Sequence, residues 1–206
     1  MLLKLDPEHP EESKISYITE CLNDEGIIIY PTDTVYGLGC NIRKPKAIEK
    51  ICRLKGIKVE KANFSFIFSD LSHLSEFTKA VDTPTYKIMR KALPGPFTFI
   101  LHAGNEIPKI FRTRKKTIGI RVPDNNICRA ISKELGSPLM NSSLHDEEDD
   151  ITEYMNDPEE IHNKYHKLVD IVIDGGFGNL VASTVVDCSH GGINIIRQGL
   201  GVIEGY

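Results

Sequence analysis

No apolar run in this chain of 206 residues approaches the roughly 20 that a helix needs to cross a bilayer. The opening residues, MLLKLDPEHPEESK, lack the apolar segment of a secretory leader and turn acidic at once. Cysteine is sparse: Cys21, Cys40, Cys52, Cys128 and Cys188, an odd set with no CxxC pair. That argues against a disulfide framework and against a zinc site. Cys21 and Cys52 occupy apolar positions of helical patterns, as small buried hydrophobes do. Internal repeats, low-complexity tracts and long linkers are missing as well. The expectation is a cytoplasmic protein with no membrane contact and no metal centre.

Two catalytic signatures are also lacking. Ser143 and His145 are close neighbours in Asn141-Ser142-Ser143-Leu144-His145, yet no GxSxG elbow surrounds them. His162 and His166 are four apart on a helical pattern without the acidic companion of HExxH, and read as surface histidines.

What is present suffices for one core. At 40% hydrophobic residues, a single domain over residues 1–206 is the expectation. The net charge is -4, but it is unevenly spread. Residues 43–61 carry eight basic side chains against two acids, while residues 146–160 carry nine acids and no base. The basic block suits phosphate, whether of a nucleotide or of RNA. The acidic block reads as a solvated loop and helix start.

Periodicity predicts helices over 13–23, 45–54, 70–78, 83–93, 125–135 and 158–168. It predicts strands over 27–30, 65–68, 97–101, 117–122, 138–141, 169–173, 183–187 and 193–196. Helices and strands alternate at first, and strands follow strands near the end. The fold class expected is α/β to α+β, with a twisted mixed sheet.

The stretch PTDTVYGLG, residues 31–39, leaves an apolar strand and carries more polar chemistry than a turn needs. Thr32, Asp33 and Thr34 stand at a strand end, where open sheets hold ligands. Gly37 and Gly39 permit close backbone approach. A turn capped by its own Asp33 and Thr34 accounts for the same residues equally well. Lys55-Gly56-Ile57-Lys58-Val59-Glu60-Lys61 places lysines on a loop after a basic helix, as polyphosphate contacts or as a solvated loop. Arg121 and Arg197 lie in strands, so each needs a carboxylate partner or a bound anion.

Together these stretches resemble the YrdC/YciO family of threonylcarbamoyl-AMP synthases and their relatives. The likeness is carried by YPTDTVYGLGC, the lysine loop, PGPFTFIL, TIGIRVPDN, PLMNSSL, STVVD and IIRQG, over about residues 13–200. It implies a single YrdC-like domain with a concave, basic cleft. It implies ATP, L-threonine and bicarbonate as substrates, with Mg2+ accompanying the nucleotide. The product would serve threonylcarbamoyladenosine modification of tRNA. Thr32, Thr34, Tyr36 and Arg121 would bind the amino acid. Lys55, Lys61, Ser143, Ser183 and Arg197 would contact nucleotide, with Lys55, Lys61 and Ser143 as the catalytic set.

Two positions depart from the family pattern. Lys-x-Arg appears here as Lys55-Gly56-Ile57, and Ser-x-Asn as Ser143-Leu144-His145. Losing a charged phosphate contact costs about 1.5–3 kcal/mol, roughly ten- to hundredfold. The departures resemble the YciO branch, which implies weak or altered synthase activity. The rival expectation is a non-catalytic module for double-stranded RNA or tRNA, using the basic block and the cluster 112–116. No reading of the sequence bears on oligomeric state.

Overall fold

The computed structural model describes residues 1–59, 62–111, 116–144 and 154–203. Among these residues, ten strands form one mixed sheet. They are β1 (Leu2–Lys4), β2 (Ile27–Tyr30), β3 (Gly37–Asn41), β4 (Ser65–Ile67) and β5 (Phe97–His102), followed by β6 (Thr117–Arg121), β7 (Leu139–Ser143), β8 (Ile171–Asp174), β9 (Thr184–Asp187) and β10 (Asn194–Arg197). Their spatial order is β1-β8-β2-β3-β7-β4-β6-β5-β9-β10. Pairing is parallel at β1/β8, β8/β2, β4/β6 and β5/β9, and antiparallel at the other joints.

Six α-helices among the described residues accompany this sheet: α1 (Glu12–Asn23), α2 (Pro45–Leu54), α3 (Leu74–Phe77), α4 (Thr83–Ala92), α5 (Asn126–Leu135) and α6 (Pro158–Tyr165). Strand residues alternate between the two faces, as the pleat requires. Ile28, Tyr30, Ile67 and Leu139 point to a core completed by Ile18 and Leu22 of α1 and Ile127 and Ile131 of α5. Ile29, Leu38, Phe66 and Met140 point the other way, to a larger core with Ile48 and Ile51 of α2, Met89 of α4 and Ile161 of α6. Each fully buried isoleucine contributes about 1.5–3 kcal/mol by leaving water. The first face is only half covered, because α1 and α5 stop short of β5, β9 and β10. A hollow remains there.

Local signals explain where the helices sit. α2 starts with Pro45 in its first turn and is followed by Gly56 at φ +66°. Asn125 caps α5 by accepting from Cys128 N at 3.2 Å, and Gly136 ends it at φ +63°. The predicted helix over 70–78 shrinks to α3, because Asp70 accepts from Ser72 N at 2.7 Å and holds a turn.

Two strands escape the periodicity. β1 has three residues at a sheet edge. β3 reads Gly-Leu-Gly-Cys-Asn, with no β-branched or aromatic residue, yet all five positions are buried between β2 and β7. None of the five cysteines is in a disulfide, and burial pushes Cys128 up to about 12. No helix among the described residues is long and apolar enough to cross a membrane.

Candidate functional site

The polar stretch after β2 is a turn held by its own hydroxyls. Thr32 Oγ1 donates to Val35 O at 2.8 Å and accepts from Thr34 N at 3.0 Å. Thr34 Oγ1 lies 3.1 Å from Thr32 Oγ1. Both threonines are buried. Tyr36 Oη donates to Gly176 O at 2.7 Å, which ties the turn to the loop after β8. Burial pushes the Tyr36 phenol well above its usual range.

Arg121 reaches this turn from β6. Its Nη2 donates to Asp33 Oδ1 at 3.0 Å and to Thr34 Oγ1 at 2.9 Å. Asp33 Oδ2 also accepts from Asp124 N at 3.1 Å. The two side chains are 6% and 9% exposed. Burial raises the Asp33 carboxyl, and the Arg121 charge partly offsets it. Arg121 Nε is buried with no hydrogen-bond partner, which costs about 1–3 kcal/mol.

Arg121 lines a cavity of about 480 Å³ in the hollow of the half-covered face. Ser65, Thr98, Asn141, Ser143 and Ser183 supply polar side chains to it, and Gly119 leaves room between them. Val59, Phe64, Phe111 and Ile118 make an apolar border, with Phe64 and Phe111 edge to face at 6.0 Å. Arg197 stands across from Arg121. Its Nε and Nη2 donate to Ser183 O at 3.2 and 2.8 Å. Ser183 Oγ is 2.8 Å from Thr98 Oγ1 and accepts from Arg197 Nη2 at 3.3 Å. Burial lowers the Arg197 pKa; Tyr154 opposes this, and the like charge of Arg121 adds to it. The described lining residues include two arginines, Arg121 and Arg197, and no carboxylate.

The sequence-derived residues divide into three groups. Arg121, Ser143, Ser183 and Arg197 line the cavity. Lys55 is joined to it: its Nζ donates to Ser143 O at 3.0 Å. Thr32, Thr34 and Tyr36 lie behind the wall, their hydroxyls engaged within the protein. Lys61, His145, residues 112–115 and the acidic residues 146–153 lie outside the described residues. Ile57 packs against the larger core beside Leu54 and Val59, so its side chain serves the core.

Sequence reasoning missed Ser65, Thr98 and Asn141 as cavity residues, and Asp33 as the Arg121 partner. A signal existed in β6, where Gly119 and Arg121 alternate with Ile118 and Ile120 and announce one polar face. Ser65 and Asn141 offered none, because their meeting depends on strand register.

Chemically, the described residues of the site offer cations and hydrogen-bond donors. Such a set positions substrates and stabilises growing negative charge. No group of three or more His, Cys, Asp or Glu that could hold a metal ion occurs among the described residues.

Comparison with known proteins follows the same line. The family model Sua5_yciO_yrdC, described as telomere recombination, matches residues 20–199. YciO of Escherichia coli K12 is 36% identical over 203 residues, covering 98% of this chain and 97% of its own length. The crystal structure of E. coli YciO superposes with a TM-score of 0.90 over 99% of this chain and 98% of that one. A threonylcarbamoyl-AMP synthase from Nitrosococcus oceani is 33% identical over 120 residues, 58% of this chain and 64% of that one. P. abyssi Sua5 complexed with L-threonine has a TM-score of 0.86 at 22% identity, over 97% of this chain and 57% of that one, a likeness of fold.

Proposed function

This chain belongs to the Sua5/YciO/YrdC family, and from that premise we propose that its cavity binds ATP and L-threonine and carries weak or altered threonylcarbamoyl-AMP synthase activity. The observation that carries this reading is Arg121: oriented by Asp33 and Thr34, it lines a cavity that Arg197 also lines, with no carboxylate among the described lining residues. A carboxylate is the ligand such a guanidinium accepts best. Arg121 takes the amino-acid carboxylate, with Thr32, Thr34 and Tyr36 as the frame behind it. Arg197, Ser183, Ser143, Lys55 and Lys61 take the nucleotide. Bicarbonate and the threonine amine condense to a carbamate with loss of water, the carbamate oxygen attacks the α-phosphorus of ATP, and pyrophosphate leaves. Mg2+ travels with the triphosphate. The product would feed adenosine modification in tRNA within the cytoplasm.

Ile57 is why the activity is weak. Where the family pattern carries an arginine, this chain has an aliphatic side chain turned to the core. Calorimetry with ATP and L-threonine, singly and together, tests the reading. Binding of each, stronger in the presence of the other, supports it; silence from both ends it.

A second reading rests on α2. That helix buries Ala47, Ile48, Ile51 and Cys52 and leaves Lys46, Lys50 and Arg53 exposed on the opposite face. This basic face suits the phosphates of double-stranded RNA or tRNA. Binding through it weakens steeply with salt. Salt-indifferent binding would remove this reading.

A further inference from the structure

A row of side-chain hydrogen bonds runs across four neighbouring strands and ends in the cavity. It begins at Tyr30 on β2, which is fully buried. Tyr30 Oη donates to Asn141 Oδ1 on β7 at 2.7 Å. Asn141 Nδ2 donates to Ser65 Oγ on β4 at 3.0 Å. Ser65 and Asn141 both line the cavity, and Asn141 is 5% exposed.

The row has one polarity, and Tyr30 sets it. A phenol has a single proton, and here Asn141 Oδ1 is its acceptor. Turning the amide over would face Nδ2 to the phenol and leave that proton buried without an acceptor. Tyr30 therefore holds the amide with oxygen inward and nitrogen toward Ser65. Ser65 Oγ then accepts, and its own proton remains for the cavity.

The glycines of the PTDTVYGLG stretch make this possible. β3 lies between β2 and β7, so the Tyr30 ring must cross it to reach Asn141. A Cβ at Gly39 would meet Tyr30 Cε1 at 2.8 Å, and one at Gly37 would meet Tyr30 Cζ at 3.0 Å. Neither glycine has a positive φ. Their missing side chains are the slot in which the ring lies.

We infer that the Tyr30–Asn141–Ser65 row keeps the Ser65 proton free as a hydrogen-bond donor on the cavity floor, where an acceptor oxygen of the ligand, whether carbonyl, carboxylate or phosphoryl, takes it. Arg121, two residues beyond Gly119 on the neighbouring strand, offers the same polarity. With the amide reversed, the Ser65 proton would be spent on Asn141 Oδ1 and Ser65 could only accept. The inference rests on the cavity being the ligand site proposed above, and goes beyond it in saying how a residue no ligand touches readies a donor at the cavity floor.

The test is a double-mutant cycle read by calorimetry with ATP and L-threonine as probes. Ser65→Ala weakens at least one probe by about tenfold, the loss of one hydrogen bond. Tyr30→Phe removes the proton that orders the row and weakens the same probe about three- to tenfold. In the Ser65→Ala background, Tyr30→Phe adds nothing, because the end it orients is gone. Equal losses from Tyr30→Phe in both backgrounds would mean a structural role and overturn the inference, as would full binding by both single variants. Wild-type protein that binds neither probe overturns the ligand site and the inference together, so the two failures are distinct. A second measurement needs no variant to fold. In labelled wild-type protein, nuclear Overhauser contacts run from the Asn141 amide hydrogens to Ser65 Hβ. Contacts to the Tyr30 ring hydrogens in their place overturn the polarity.

Discussion

Asp33 and Arg121, 88 residues apart in sequence, are buried as a pair at 3.0 Å, with Thr34 and the Asp124 amide taking up the neighbouring valences. Removing one partner strands the other's charge. Asp33→Ala is therefore expected to cost about 3–5 kcal/mol of unfolding free energy. Replacing both, as Asp33→Leu with Arg121→Met, should cost much less while abolishing threonine binding. Urea unfolding of the three proteins checks this; equal losses for the single and double variants would contradict it.

The two arginines should separate by ligand. Arg121→Ala weakens L-threonine about ten- to hundredfold and changes ATP affinity little. Arg197→Ala does the reverse, since its guanidinium stands with Ser183 at the other side of the cavity. The magnitude is that of one charge-assisted hydrogen bond. Titrations of each variant with each ligand decide; a parallel loss of both ligands in both variants would refute the division.

Restoring the family pattern should restore rate. Ile57→Arg with His145→Asn is expected to raise pyrophosphate release from ATP, threonine and bicarbonate by about ten- to hundredfold. Ile57 is half-buried against the core, so the exchange also costs about 1–2 kcal/mol of stability. An unchanged rate in a folded double variant would place the limitation elsewhere.

Asp82 caps α4, accepting from Thr85 N and Thr85 Oγ1, each at 2.9 Å. These bonds hold its carboxyl below the usual range. A depressed pKa in the folded state means that its stabilisation is present above the unfolded pKa and is lost as pH falls through the folded value. Asp82→Ala should lower Tm at pH 7, with the gap closing in acid below the ordinary carboxylate range. A gap that is constant with pH would rule out the charged cap.

Gly39→Ala places a methyl between Met140 O and the Tyr30 ring. Both are buried and neither is a flexible chain end, so overpacking should cost about 1–3 kcal/mol. Gly56→Ala, where nothing lies within 4 Å but φ is +66°, should cost about 1 kcal/mol through backbone strain alone. Denaturation midpoints compare the two; a larger loss at Gly56 would contradict the slot.

Much of this architecture was legible in the chain because its signals are local. Apolar runs and helical spacing marked β2 and α2 at their observed ends, and Asp157 marked the start of α6. Resemblance of motifs brought Arg121, Ser143, Ser183 and Arg197 into one expected cleft, and the cavity holds all four. β3 was hidden because two of its five residues are glycines, and strand propensity does not register a strand made to accommodate a neighbour's ring.

Sequence alone determined the residue types available: guanidiniums in strands, hydroxyls at strand ends, an isoleucine where the family pattern has arginine. It also left open whether the threonines of the turn faced a ligand or one another. Tertiary structure decided that, by burying Thr32 and Thr34 in mutual hydrogen bonds and giving Arg121 its carboxylate. It alone put Ser65 beside Asn141 and Tyr30 behind them, since register between distant strands is set by the packing of two whole faces and by no short stretch of chain.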